Sequence, residues 1–509
     1  MSVRHAKFTG MTDYDQVRYP CHAYAHTHPE HLYVIGKLHG MNPVKPETCR
    51  VLEIGCGDGA NLVPMAWRLP QGRFFGFDLA KSTIDEGRAL VSRLGIKNLD
   101  LRHLDLLEFP EEEGPFDYII AHGFYSWVPE FVREKMLALV RRILSPQGIA
   151  FVSYNAYPGG HIRTMLREMA LFHTSKAPDA ASKVSQAMAF LQFLHAGMVD
   201  MDEHGRILKA EVARVQKFHP AHYFHDDLAE INQALYIHEF AAQAAAHGLQ
   251  YLDDADLPST QDDRFPPAVR ETLSELSGNI ILKEQYMDFL KCRRFRQTLL
   301  CHAEVPLERN LKPSCVRGLL LGGPVIPGDR AAGEWRAQGG TRLRSKHEAA
   351  AIAFGTIGER WPGRCDFATL RDKIVKETGA PVEAVETVLE KLLWEALSTG
   401  LIDAWPDPGN FTPVPSEKPR ACGLVREMLL FGDSVTTRLH STVAIGDAAG
   451  KHLISLLDGT RDRETLIREM ADSDVLKEQE PDAAKRQALA KSNVETGLEQ
   501  LAKLTLLEA

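Results

Sequence analysis

The sequence predicts an α/β fold built on a parallel, doubly wound sheet, with a helical middle region and a smaller C-terminal region after it. Three observations carry that expectation. Between Arg50 and Asn155, short apolar runs alternate with amphipathic helical patterns, as they do when strands are joined side by side through helical crossovers. The first run leads into three alternating glycines, Gly55, Gly57 and Gly59. Acidic residues stand at the ends of three successive runs, at Glu53, Asp78 and Asp105.

In chain order, "RVLEI" reads as a buried strand and "NLVPMAWRL" as a helix, with Pro64 tolerable in its first turn. "RFFGFDL" is a second strand. "STIDEGRALVSRLG" is a helix with Ser82 as N-cap and Gly95 as stop. "LDLRHLDL" and "FDYIIAH" are strands three and four, "PEFVREKMLALVRRIL" an amphipathic helix and "GIAFVSYN" a fifth strand. The unit spans residues 1–170. Its sheet is completed by 235–257, where "HEFAAQAAAHGLQYLDDADL" reads as a helix ended by Gly248 and a short strand. Residues 171–330 read as a helical middle region, including "LKEQYMDFLKCRRFRQTLLCH" as a helix with a basic cluster on a solvated or internally paired face. Residues 331–509 are divided by the proline-rich "PDPGNFTPVPSEKP" into two helix–helix–strand halves, the pattern of small winged-helix-like units.

Composition narrows the function. The 509 residues carry a net charge of −9, so a global basic field for nucleic acid is absent. Eight scattered cysteines without a C-x-x-C pair point to reduced thiols in a cytoplasmic protein. No apolar run approaches the ~20 residues of a membrane span. His22, His26, His28 and His31 include one i, i+4 pair, but no acid or cysteine of firm spacing accompanies them, and a metal-free segment is expected.

The glycine turn opens a helix, whose N-terminus favours negative charge. A dinucleotide pyrophosphate would want G-x-G-x-x-G. Here the spacing is G-x-G-x-G with Glu53 just before it, and an acid there repels a pyrophosphate and favours a cation. S-adenosyl-L-methionine, with a sulfonium, an ammonium and one carboxylate, fits. Asp78, with Leu79 beside it, can take the ribose hydroxyls. Asp105 can take the adenine amino group and the backbone of Leu106 the ring nitrogen. Asn61 and His122, at the start of the next helix and the end of the fourth strand, complete the cofactor set.

These residues resemble the class I methyltransferases over Val51 to Asn155, which implies a Rossmann-like, seven-stranded methyltransferase sheet. "YDQVRYP", "THPEHL", "LHGMNP", "AHGFYSWVP" and "YNAYPGGH" resemble a narrower group, the bacterial methyltransferases with a methyltransferase regulatory domain. "FHDDLAEINQALYIHEFAAQAAAHGLQYL", "RRFRQTLLCH" and "LLDGTRDRETL" are similar to that group's middle and C-terminal regions. The group includes the rickettsial lysine methyltransferases of outer-membrane proteins, so the resemblance implies methylation of lysine on a protein substrate, such as a surface protein before export. Where the group often has Pro-Gly-Trp-His, this chain has Pro158, Gly159, Gly160 and His161.

A lysine acceptor must lose a proton from a group whose free pKa is about 10.4, which an apolar, aromatic pocket assists. The candidate catalytic wall is Tyr125 and Trp127 after the fourth strand, Asn155, Tyr157 and His161 after the fifth, and Tyr14 and Tyr19 from an N-terminal lid. Two other readings stand beside this one: a small-molecule N- or O-methyltransferase, and a cofactor-sensing regulatory protein whose winged-helix units contact DNA.

Overall fold

The structure is a computed structural model that describes residues 19–198, 202–337, 339–411 and 413–508. Tyr14 lies outside the described residues. Seven strands form one sheet: β1 (Arg50–Ile54), β2 (Arg73–Asp78), β3 (Leu99–His103), β4 (Phe116–Ala121), β5 (Leu144–Asn155), β6 (Leu249–Asp254) and β7 (Phe295–His302). Their order is β3-β2-β1-β4-β5-β7-β6. Strands β1 to β5 pair in parallel, and β7 runs antiparallel between β5 and β6. The chain winds outward from β1 through β2 to β3, then returns to place β4 on the other side of β1. That reversal opens a crevice at the carboxyl ends of β1 and β4, where open sheets bind ligands.

Local chemistry explains most elements. Pro64 sits in the first turn of the Leu62–Arg68 helix, where backbone donors have no intrahelical partner anyway. The helix after β2 spans Lys81–Arg93 and is capped by Ala80, so Ser82 lies inside its first turn instead of capping it. Gly95 follows at φ +66°. Gly248, at φ +71°, ends the Ile237–Ala246 helix and turns the chain into β6.

The reading of "LKEQYMDFLKCRRFRQTLLCH" as one helix is corrected. The helix is Ile280–Lys291; Cys292 takes the left-handed conformation (φ +49°), and β7 follows. The basic cluster misled the reading, because Arg296 is fully buried. Its guanidinium bonds both oxygens of Asp288 at 2.8 Å and Glu284 Oε2 at 2.8 Å, with Asp254 Oδ2 at 3.6 Å. A cation can enter a sheet only when paired in this way.

The helices Gly160–Thr174, Ala180–Gly197, Glu203–Val215 and Pro220–Asp227 lie between β5 and the Ile237–Ala246 helix and share a core that includes Leu166, Leu191, Val212 and Tyr223. In the C-terminal region, the short strands Cys365–Asp366, Leu320–Gly322 and Asp403–Trp405 form an antiparallel sheet against the helices Glu348–Arg360, Phe367–Thr378 and Val382–Ser398. Beyond the proline-rich segment, the hairpin Ser434–Thr436/Thr442–Ala444 accompanies the helices Ala448–Leu456, Arg463–Asp472 and Ala483–Lys503. This last unit shares its core with Val63 and Trp67 of the helix after β1. Its hairpin loop therefore reaches the crevice.

Candidate active site

The turn after β1 holds Gly55, Gly57 and Gly59 at φ of +72°, +55° and +76°, a region side chains disfavour. Space is also short: a Cβ on Gly57 would stand 2.7 Å from Cys21 Sγ. Glu53 lies beneath this turn, 4% exposed. Its Oε1 accepts from Asn61 Nδ2 at 2.8 Å, and its Oε2 is buried without a partner. Burial pushes the carboxyl up to about 8. An orphaned buried carboxylate oxygen awaits a donor, and a cationic ammonium suits it.

Asn61 joins three parts of the chain. Its Oδ1 accepts from Tyr24 N at 3.1 Å and from His440 Nε2 at 2.8 Å, and its amide also meets Thr27 Oγ1. His440 comes from the C-terminal hairpin loop, is buried at φ +59°, and is held neutral by burial and by the nearby rings and guanidinium.

On the other side of the turn, Asp78 Oδ2 accepts from Gly57 N at 3.0 Å and Oδ1 from Ala80 N at 2.8 Å. The Leu79 side chain next to it is 40% exposed, an apolar surface of the kind an adenine ring covers. Asp105 Oδ1 accepts from Leu107 N at 2.9 Å, which caps the short turn that carries buried Leu106. His122 follows β4. The Ser153 hydroxyl, which accepts from Gly123 N at 2.9 Å, meets His122 Nδ1 at 3.0 Å. Burial, with a smaller effect from His26, pushes this imidazole down to about 4. The cofactor set read from the sequence thus stands at and just beyond the carboxyl ends of β1 to β4. The orphaned Glu53 oxygen, the glycine turn and the carboxylates fit S-adenosylmethionine.

Beside the crevice lies a cavity of about 690 Å³, lined by Tyr24, His26, His122, Asn155, Asn232, Phe295, Gln297 and four arginines, with Ser441 and Thr442 of the C-terminal hairpin at one side. The Tyr24 ring lies 4.0 Å from that of His122. Asn155 Nδ2 donates to Asn232 Oδ1 at 2.9 Å, and Asn232 Nδ2 donates in turn to Asp226 O. His26 Nδ1 meets Gln297 Oε1 at 3.1 Å.

Of the expected wall, only Asn155 lines this cavity among the described residues. Tyr125 is fully buried in the core, edge-on to Phe240, with its hydroxyl donating to Gln243 Oε1 at 2.6 Å. Trp127 has its Nε1 buried without a partner. Tyr157 stacks on His161 at 4.0 Å, and His161 Nε2 meets the Tyr236 hydroxyl at 3.3 Å, an aromatic ladder outside the cavity lining. Tyr19 lies edge-on to His222 and His225, and its hydroxyl bonds Asp226. Tyr24, Asn232, Gln297 and the hairpin were not anticipated. They reach the site from distant segments; Asn232 and Gln297 lie within "FHDDLAEINQALYIHEF" and "RRFRQTLLCH", stretches that carry the resemblance but do not mark these residues as part of a site.

Residues 51–148 match the family described as methyltransferase domain, 220–302 the predicted methyltransferase regulatory domain, and 417–508 the PKMT C-terminal winged helix domain. Two uncharacterized proteins of Rickettsia prowazekii are similar. RP789 is 38% identical over 62% of this chain and 57% of its own length, and RP028 is 37% identical over 47% of this chain and 96% of its own. The solved structure of PKMT2 from Rickettsia typhi in complex with AdoHcy superposes with a TM-score of 0.87 at 26% identity, covering 96% of this chain and 99% of that one. The glycine turn, the acids around it and these likenesses agree: the chain belongs to the S-adenosylmethionine-dependent methyltransferases that carry a methyltransferase regulatory domain.

Proposed function

We propose that this protein methylates lysine side chains of a protein substrate, with S-adenosylmethionine as donor. The observation that carries the reading is the cavity beside the proposed cofactor site, where the Tyr24 hydroxyl and the Asn155 amide can accept from a neutral amine and no aspartate or glutamate lines the wall among the described residues. The likeness to PKMT2 along almost the whole chain supports it.

When bound, S-adenosylmethionine supplies a methyl group already activated on a cationic sulfur, so the protein has mainly to align and deprotonate the acceptor. Glu53 Oε2 and the turn of Gly55, Gly57 and Gly59 would hold the amino acid part, Asp78 the ribose, and Leu79, Asp105 and Leu106 the adenine. In the cavity, nearby guanidinium groups and burial both disfavour an ammonium, which lowers the pKa of an entering lysine. The proton leaves to solvent, and the neutral amine offers its lone pair. Because Asn155 Nδ2 is already committed to Asn232, the Asn155 Oδ1 remains to accept an amine N–H. The Tyr24 phenol keeps its proton, since burial pushes its pKa up, and its oxygen is a second acceptor.

Incubation of the full chain with radiolabelled cofactor and cell extract, followed by mass spectrometry of labelled bands, tests the reading. Methyl groups on lysines of protein bands are expected. Label found only in small molecules overturns it.

A further inference from the structure

The acceptor cavity has a charge pattern that lysine methylation alone does not explain. Arg163, Arg167, Arg214 and Arg294 line it together with His26 and His122, and no aspartate or glutamate does so among the described residues. Three of the arginines are paired from behind. Arg163 bonds Asp227 through two nitrogens at 2.6 and 2.9 Å. Arg214 and Arg294 share the carboxylate of buried Glu211. Arg167 differs. Its Nη2 donates to the backbone carbonyls of Ala229 and Glu230 at 2.5 and 3.1 Å, its Nε is buried without a partner, and no carboxylate stands within ion-pair distance among the described residues. A half-buried guanidinium whose hydrogen bonds go only to carbonyls, with its Nε buried and unpartnered, keeps an unsatisfied demand for an anion.

A lysine side chain entering this cavity meets like charge, which helps it lose its proton but opposes its approach. The attraction must come from other parts of the acceptor segment. Resting on the lysine reading above, we propose that the cavity selects acceptor segments in which aspartate or glutamate flanks the methylated lysine, with Arg167 reading a flanking carboxylate. The guanidinium fork suits a carboxylate better than a point charge would.

Three labelled peptides of about a dozen residues test this with the full chain: a lysine flanked by aspartate and glutamate, the same lysine flanked by lysine and arginine, and the acidic peptide with methionine in place of the lysine. Binding is read by fluorescence anisotropy at two salt concentrations, and methylation by transfer of labelled methyl. Both acidic peptides are expected to bind, the lysine-free one included, and high salt to weaken them. Arg167→Gln should raise Kd and KM for acidic peptides roughly two- to fivefold, the loss of a half-exposed charge pair. Arg167→Lys should recover part of it, with S-adenosylhomocysteine affinity and thermal midpoint unchanged in both. Equal binding of the three peptides, or an Arg167→Gln effect equal for acidic and basic ones, overturns the proposal and leaves lysine methylation standing. Salt-sensitive binding of the lysine-free acidic peptide without methylation of any lysine would sink the lysine reading and keep the acidic preference.

Discussion

Glu53 offers a test in which the structure sets the size of the effect. It is buried beneath the glycine turn, with one oxygen held by Asn61 and the other without a partner, and burial pushes its carboxyl up to about 8. Pairing with a cofactor ammonium requires the ionised form, so binding must expel a proton. With a pKa of about 8, the ionised fraction is about 3% at pH 6.5 and about 24% at pH 7.5. Affinity should therefore rise roughly eightfold across that single pH unit, and Glu53→Gln should remove the rise. The ligand's own titration cancels when wild type is divided by variant. Stability moves oppositely. Between the unfolded value near 4.5 and the folded value near 8, the native state holds a proton that the unfolded chain lacks, so Glu53 makes the empty protein less stable as pH rises through that window. Glu53→Gln should be the more stable protein above pH 8. Calorimetric titration with S-adenosylhomocysteine in two buffers of different ionisation heat reads the expelled proton directly, nearly one per site at pH 6.5. A wild-type to variant ratio that stays flat between pH 6.5 and 7.5, without buffer dependence, would refute the placement of the ammonium at Glu53.

Further outcomes are expected. Asp78→Ala removes a charged acceptor and frees the Gly57 amide; cofactor affinity should fall at least tenfold by calorimetry, the worth of one charge-assisted hydrogen bond. His440→Ala should weaken S-adenosylhomocysteine binding severalfold by loosening Asn61, and His440→Gln, which keeps a donor, should restore part of it. Tyr125→Phe removes only the bond to Gln243, so it should cost about 1 kcal/mol in denaturant unfolding and leave turnover intact, whereas Tyr24→Phe should lower kcat without changing S-adenosylhomocysteine affinity. Arg296→Met leaves Asp254 and Glu284 buried without their cation, and Asp288 with only Arg293; thermal unfolding should show a loss of about 3–5 kcal/mol.

The cofactor side of the site is legible because it is local. Glu53, the glycines and Asn61 lie within nine consecutive residues, and Asp78 and Asp105 mark the ends of the next two strands, so periodicity alone places them on one edge. The acceptor side is assembled from segments far apart in the chain. Tyr24 reaches the crevice because Asn61 accepts from its backbone N–H, and nothing in "CHAYAHTH" marks that tyrosine over its neighbours. Of the wall read from the residues after β4 and β5, Asn155 lines the cavity and Tyr125 does not. Tyr125 sits on the short turn Tyr125–Trp127 after β4, where strand alternation sets no direction, and its side chain enters the core that Tyr154 and Phe240 already occupy. β7 was hidden by its charges, since Arg294 and Arg296 look like a solvated helix face until their partners are known: Glu211 of the Glu203–Val215 helix for Arg294, and Asp254 of β6 with Glu284 and Asp288 of the preceding helix for Arg296.

The two halves of the site carry opposite signs, and that division explains how one crevice can serve two cations. Asp78 flanks the glycine turn, and Glu53 beneath it ionises as the ammonium binds, so a cationic donor is drawn to the strand ends of β1 and β2. Four arginines face the neighbouring cavity, which under the proposed lysine reading discourages a protonated amine there. The boundary between them is neutral: Tyr24 over an unprotonated His122, with Asn155 on the cavity side. His440 and Thr442 anchor the C-terminal hairpin at this same boundary, one to Asn61 and the other to the backbone of Ala23. A domain that grips a substrate there would press on the donor and acceptor sides through the same few hydrogen bonds, so truncating the C-terminal unit should impair cofactor binding together with substrate selection, rather than selection alone.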